Sequence, residues 1–583
     1  GVSMSTDIFP VNEPAFDDFN SAMEKILQDF KLPGFAAAAV RGDDVILSKG
    51  YGVRDTEKKL GIDSDTIFAI GSASKAFTTM DMAILVERGL LEWDKPVRNY
   101  LPNFKLYDRT ATEHMTPRDL VCHRSGLPRH DLVWYNSPRS RQQILDSLQY
   151  LEPNKDFRST WQYQNLMFLT AGMLVEKISG MSWEDFTQKE IFDKIGMSRS
   201  NTSVGKSQES DNFSYPHQEV KGEMARIPFR NIDMIGPAGS INSCLNDMTK
   251  WVRLHLNGSV DGKELVSKAQ IKELHSPAMV MPEAFMGLEE YKEITQGNYA
   301  LGWFVQYYRG HKLIHHGGAI DGFLAMITFM PDDNIGTVVL TNAGGMSAFW
   351  AVTFMMYDRL LGLDPLPWHD RWLAQTLKAK DIAEKSQEKS ASKKVEGTKP
   401  SHDLGAYAGE FFHPGYGSFT VKLKDDQLFA YYNNMEFKLD HYHYDIFEAN
   451  STEMAGQAGL PVFFYTDYQG TIGKMAAPLE PNVKEIVFER VADQSMYEKS
   501  FLEQFIGKYE ISGHHAVVSL KGDKVLVIAV PNMPEMELEP CQGTEFKLKG
   551  MEVVRIEFVK TDGVVSGLDM SQPGGVMSAK KVE

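Results

Sequence analysis

Several things are scarce in this 583-residue chain, and each scarcity narrows what it can be. It has only three cysteines, Cys122, Cys244 and Cys541, too far apart to form a disulfide framework, a usage that suits a reducing compartment. No apolar run approaches the ~20 residues needed to span a bilayer. No N-terminal stretch combines a basic start, an apolar core and a small-residue cleavage site, although Gly1-Val2-Ser3 ahead of Met4 reads as a cloning remnant and leaves a native leader open. Positive charge is in deficit: 61 Lys and Arg face 78 Asp and Glu, a formal charge of −17, which argues against nucleic acid or an anionic membrane as the main partner. The expectation is a soluble, cytoplasmic protein. With 43% hydrophobic residues, full-sized cores are within reach.

The length predicts two to four domains. A helix over 15–30 precedes a strand pair at 34–41 and 45–52, turned by Gly42-Asp43-Asp44. A short β-like run at 66–70 leads into Ser72, and 76–90 reads as a buried helix. Helical periodicity returns at 166–178, stopped by Gly180, and at 245–256. Strand-like runs follow at 299–308, 312–316, 323–330 and 336–341, then a helix at 346–361. Strands at both ends with helices between predict one α+β domain over 15–370, its sheet assembled from both termini. From 381 to 400 the composition shifts to Lys, Glu, Ser and Ala, and 371–400 reads as a charged, solvated linker open to partial helix. Beyond it, two segments repeat the order Gly, aromatic, strand, charged turn, strand: one from Leu404 to Tyr431, the other from Phe505 to Ile528. That predicts two small β-barrels, 401–494 and 495–583, with one larger barrel as the alternative.

The chemistry begins at Ser72-Ala73-Ser74-Lys75. On a helix, positions i and i+3 share a face, so the amine lies beside the hydroxyl and a buried lysine can serve as its base. The spacing alone is weak, because Ser-x-x-Lys occurs four more times, at Ser203, Ser386, Ser390 and Ser578. Context separates the first copy: it sits where a strand meets an apolar helix, and a helix start favours a developing anion. Tyr163-Gln164-Asn165 adds a phenol that, lowered in pKa by a nearby ammonium, would take the serine proton, and an amide to hold the lysine or the substrate. His316-Gly317-Gly318-Ala319 places two glycines in a strand, which costs stability unless a ligand or another backbone must approach closely. An oxyanion hole from the Ala319 and Ser72 N–H groups needs that approach. His441 and His443 share a strand face, but no third ligand is suggested nearby, so neither metal nor cofactor is assigned.

These three elements, in this order, resemble the serine β-lactamase and penicillin-binding-protein superfamily, nearest its class C, peptidase family S12 branch. The run from Thr116 to Pro128, whose core is His123-Arg124-Ser125-Gly126-Leu127-Pro128, and Pro237-Ala238-Gly239-Ser240 resemble supporting segments of that branch. The 404–445 segment resembles its associated lipocalin-like C-terminal domain. The resemblance implies a β-lactamase/transpeptidase-like α+β domain followed by an all-β barrel region. It implies Ser72 as acylated nucleophile, Lys75 and Tyr163 as the proton-handling pair with the base left open between them, and Asn165 as a substrate ligand. Ser72 and Ala319 would form the oxyanion hole, with Gly318 beside it and His316 in the pocket wall.

One departure redirects the activity. Carboxylate-binding members carry Lys-Thr-Gly on the third strand, where this chain has His316-Gly317-Gly318. A histidine is largely uncharged at neutral pH, so β-lactams are poor candidates. The pattern resembles D-aminopeptidases, which makes a peptidase or amidase on small substrates the leading expectation. An esterase or transacylase is the alternative, and a silent binding or assembly scaffold a third. In relatives the C-terminal barrels plug the site or mediate assembly, so homo-oligomers through them are a further expectation.

Overall fold

A computed structural model describes residues 7–282, 291–344, 348–453 and 459–583. They fall into two compact units, Gly1–Lys393 with Leu479–Lys484, and Lys394–Pro478 with Glu485–Glu583.

The first unit is built on a nine-stranded antiparallel sheet. Its strands are β1 (Gly34–Arg41), β2 (Asp44–Asp55), β3 (Leu60–Gly61), β4 (Met279–Val280), β5 (Ile294–Tyr299), β6 (Phe304–Tyr308), β7 (His311–Ile320), β8 (Phe323–Met330) and β9 (Ile335–Thr341). Their order is β3-β2-β1-β9-β8-β7-β6-β5-β4, so the two ends of the domain meet where Phe35 pairs with Thr341 and Ala39 with Thr337. β1 is buried from Gly34 to Val40, because helices cover both faces of the sheet and a strand so placed reads as a continuous apolar run.

On one face α1 (Phe19–Asp29) and, later in the chain, the helices Ala348–Leu360 and Trp368–Ser392 supply Phe19, Met23, Phe354 and Trp368 to one core with Phe35, Ala37 and Val339. On the other, α2 (Lys75–Glu87) is buried along almost its whole circumference, and its Phe77 stacks on Trp251 at 3.9 Å. α3 (Asn165–Ser179) ends at Gly180, whose φ of 73° gives the left-handed cap that a Cβ would disfavour.

Three elements depart from the sequence reading, each for a local reason. The 299–308 run is two strands, β5 and β6, reversed at Ala300–Trp303, where Gly302 adopts φ +79°. The 312–316 strand continues through the glycines to Ile320. Residues 371–400 are more helical than the linker reading allowed and hold most of the 25-residue helix Trp368–Ser392, since Lys, Glu, Gln and Ala are strong helix formers even beyond the buried start at Trp368 and Trp372. The 346–361 helix is Ala348–Leu360, and its expected start at Met346 lies outside the described residues.

The second unit holds two closed antiparallel barrels of eight strands each. The first runs from Gly409–His413 to Ile486–Arg490 and closes where Phe411 pairs with Arg490. The second runs from Gly507–Ile511 to Gly575–Lys581 and closes where Tyr509 pairs with Lys581. The repeat in the sequence is repeated geometry: Gly409 and Gly507 open their barrels, and two residues on Phe411 and Tyr509 turn inward. Phe505, Phe546 and Phe558 pack the interior of the second barrel. In the described part of β-strand Met435–His443, His441 Nε2 meets the Tyr444 carbonyl and His443 Nδ1 accepts the Val395 N–H. Among the described residues, no helix is long and apolar enough to cross a membrane.

Candidate active site

Ser72 lies in a single 3-10 turn, Gly71–Ser74, that leads directly into α2. The turn is pressed against β7, and two glycines permit it. A Cβ on Gly318 would stand 1.8 Å from the Ile70 carbonyl oxygen and 2.7 Å from Ser72 N. A Cβ on Gly71, which also adopts φ +52°, would stand 2.7 Å from Ala319 N. The close approach inferred from the paired glycines is therefore a backbone–backbone approach, and it sets Ser72 N and Ala319 N side by side.

Lys75 begins α2 and is fully buried. Its Nζ contacts Ser72 Oγ at 3.1 Å, Asn165 Oδ1 at 2.6 Å and the Ala238 carbonyl at 2.9 Å. Burial pushes the Lys75 pKa well down, and the Arg129 cation pushes it further, with Asp131 acting in the opposite sense. Tyr163 places its ring 4.6 Å from Nζ and hydrogen-bonds Ser72. Its phenol is raised, not lowered as expected from an adjacent ammonium, because burial outweighs the Ser72 bond and the neighbouring Arg129.

The Tyr-Gln-Asn segment is fixed by its central residue. Gln164 caps α3 by accepting the Leu166 N–H, and its own N–H donates to His123 Nδ1 at 2.9 Å. Its Nε2 donates to the Pro128 carbonyl at 2.7 Å. The 116–128 run is thus the wall against which Tyr163 is held. His123, with φ +62°, packs its ring tilted against that of Tyr163 at 4.4 Å and is held well below its ordinary pKa by burial.

His316 is in the neighbourhood but not in the lining. It is 1% exposed, shares a hydrogen bond between Nε2 and the Tyr299 hydroxyl at 2.9 Å, and packs against Phe304. Burial holds it well below its ordinary pKa. The pocket-wall position expected for it is taken instead by Ala319, Asp321 and the Asp131 region, around an open cleft of about 600 Å³ that includes Ser72 and Asn165.

The structure thus brings Ser72, Lys75, Tyr163, Asn165, Gly318 and Ala319 together, with His316 one layer behind. Sequence reasoning passed over Arg129, Asp131, Asp321 and the Ala238 carbonyl. The last lay within reach, since 237–240 had stood out as a supporting segment; Gly172 in α3 admits Pro237, where a Cβ would come within 2.2 Å of Cγ. The three charged residues follow no spacing rule. Arg129 pairs with Asp131 at 2.6 Å, and Asp321 accepts from Tyr135 at 2.6 Å and Arg230 at 3.2 Å. Among the described residues, no group of three or more His, Cys, Asp or Glu side chains could hold a metal ion.

An antiparallel sheet flanked by helices, with a Ser-x-x-Lys pair at the start of α2 tucked against β7, defines a serine hydrolase of the β-lactamase and penicillin-binding-protein architecture. A family model described as Beta-lactamase matches residues 19–353, more than half of the chain, and the chain belongs to that family. A second model, a domain of unknown function called DUF3471, matches residues 393–490. The chain is similar to "Unguisins hydrolase ungD'" of Aspergillus campestris, 27% identical over 506 residues, which cover 81% of this chain and 91% of the relative. It is also similar to "Protein flp" of Staphylococcus aureus, 24% identical, over 55% of this chain and 62% of that protein. In fold it matches the octameric penicillin-binding protein homologue from Pyrococcus abyssi with a TM-score of 0.53 and 20% identity, over 81% of this chain and 99% of that one.

Proposed function

We propose that this serine hydrolase works through an acyl-enzyme on Ser72 as a peptidase or amidase on small peptide or amide substrates. The observation that carries the reading is a fully buried lysine, driven toward its neutral form, within 3.1 Å of the serine hydroxyl. Lys75 takes the Ser72 proton, directly or through the Tyr163 hydroxyl, as Oγ bonds to the substrate carbonyl carbon. The Ser72 and Ala319 N–H groups stabilise the resulting oxyanion. As the C–N bond breaks, the proton passes from the Lys75–Tyr163 pair to the leaving amine, and water then releases the acyl group by the reverse use of the same groups.

Two observations favour peptides over β-lactams. The strand position that carries a cation in carboxylate-binding members is here His316, neutral and buried. The cleft instead is lined by one cation, Arg129, and two carboxylates, Asp131 and Asp321, a balance that favours the ammonium end of a short peptide over a carboxylate-bearing β-lactam. Two fungal relatives bear the name unguisins hydrolase, which supports hydrolysis as the outcome. A panel of D- and L-aminoacyl p-nitroanilides, each with a free and an N-acetylated amine, p-nitrophenyl esters and a chromogenic β-lactam tests the reading. Turnover of the free-amine anilides above their N-acetyl counterparts is expected. Turnover confined to esters would move the assignment to an esterase or transacylase.

A further inference from the structure

A neutral lysine has two N–H donors and one lone pair, and it acts as a base only if that lone pair faces the proton it must take. Around Lys75 Nζ stand three partners: Ser72 Oγ, the Ala238 carbonyl and the Asn165 side chain. The carbonyl accepts only. If the Asn165 amide presents its oxygen, the two N–H groups go to Ala238 and Asn165, and the lone pair is left for the Ser72 hydroxyl. If the amide is turned over, its N–H₂ captures the lone pair and the base is lost. Amide orientation at this one residue therefore decides whether Lys75 is aimed at the nucleophile.

Asp131 decides the orientation. Its Oδ1 accepts the Asn165 Nδ2–H at 3.0 Å and the Trp134 Nε1–H at 2.7 Å, while its Oδ2 accepts the Arg129 Nε–H at 2.6 Å. An ionised carboxylate accepts only, so a turned amide would set oxygen against oxygen. The carboxylate is itself fixed: it opens the 3-10 turn Asp131–Val133 directly after His130, which adopts a left-handed φ of 46°. We infer that Asp131 is a positioning residue that locks the Asn165 amide and so directs the Lys75 lone pair at Ser72. The inference rests on the reading of Lys75 as the base that activates Ser72.

The test is the rate of Ser72 phosphonylation by a fluorophosphonate, followed by intact mass on the full chain across pH. The variants are Asp131→Ala, Asp131→Asn, Asp131→Glu, Asn165→Ala and the double variant Asp131→Ala/Asn165→Ala. On the plateau above the acid limb, Asp131→Ala is expected to be slowed about 10-fold or more, a share of the 10²–10⁴ that a positioned base contributes. Asp131→Asn, which offers a donor as well as an acceptor, should fall between, and Asp131→Glu should recover part of the rate. Because Asp131 works through Asn165, the double variant should react no more slowly than Asn165→Ala alone.

The groups facing Lys75 are Tyr163, His123, His316, Arg129 and Asp131. Of these, Asp131 raises the lysine's pKa, so its loss also moves the acid limb to lower pH. A shifted limb with an unchanged plateau would show a charge effect only and overturn the positioning role. So would equal slowing by Asp131→Ala in the wild-type and Asn165→Ala backgrounds. If wild type forms no Ser72 adduct, the base assignment fails and this inference falls with it. If wild type reacts and Asp131→Ala matches it, only the positioning role fails.

Discussion

At the scale of single residues, the two glycines of His316-Gly317-Gly318-Ala319 are not equivalent, although the sequence shows them as a pair. A Cβ at Gly318 meets backbone, the Ile70 carbonyl oxygen, which cannot move without carrying Ser72 along. A Cβ at Gly317 first meets Met326 Cε at 2.8 Å, the far end of a flexible side chain. Gly318→Ala is expected to lower kcat by about 10²-fold or more, the scale of a lost oxyanion donor, while Gly317→Ala stays within about 10-fold of wild type. Steady-state kinetics, with circular dichroism to confirm folding, check both.

The pH profile belongs to this scale too. Lys75 has a lowered pKa and acts when deprotonated, so kcat/KM falls as pH drops through that value, well below the ordinary lysine value of 10.5. Arg129 lowers the Lys75 pKa, so Arg129→Gln should move this acid limb toward higher pH. An unmoved limb would assign it to another group.

The Ser72–Lys75 contact was legible in the sequence because i, i+3 spacing at a helix start is a local rule. Asp131 and Arg129 were not, because nothing local ties them to Asn165, 34 positions away. Tyr163 was placed correctly in sequence but misjudged in charge: the depth of burial that raises its phenol depends on packing, which no motif records.

Elements carry the site by how closely they approach. α3 supplies Asn165, and the turn at 236–239 supplies the Ala238 carbonyl; the two meet where Gly172 faces Pro237. Gly172→Ala would force them apart, with overpacking costs of about 1–3 kcal/mol. A lower melting temperature together with a reduced kcat is expected, measured by calorimetry and kinetics. Loss of stability with unchanged kcat would separate this contact from the site.

The strands show what periodicity can and cannot deliver. β1, β8 and β9 were legible because they are uniform apolar runs bounded by turn residues. β5 and β6 merged into one run, since a chain reversal at Gly302 leaves apolar residues on both sides of it. The apolar run of β7 stops at His316, so its continuation through Gly317 and Gly318 was read from the close approach that paired glycines imply and not from periodicity.

Over the whole molecule, an α+β unit with its sheet closed from both termini and a unit of two barrels follow from coarse pattern: strands at the ends, helices between, then short strands with charged turns. The barrel interiors are filled by their own side chains. Phe505 is fully buried, stacks on Phe558 at 4.5 Å and meets Phe546 edge-on. Phe505→Ala should destabilise the second barrel by about 3–5 kcal/mol, visible as an earlier unfolding transition in denaturant. The charged stretch 371–400 was legible as exposed and open to partial helix, but the length of its helix was not, because exposure removes the apolar stripe from which helix bounds are read.

The proposed function turns on Ser72 becoming acylated. The most direct measurement is intact-mass and peptide-level analysis after a fluorophosphonate or a slowly deacylating substrate, on wild type, Ser72→Ala and Lys75→Ala. The expected result is one adduct on the peptide containing Ser72 in wild type, none in Ser72→Ala, and adduct formation slowed by about 10²-fold or more in Lys75→Ala. An adduct on another residue, or turnover that survives Ser72→Ala, would contradict the account.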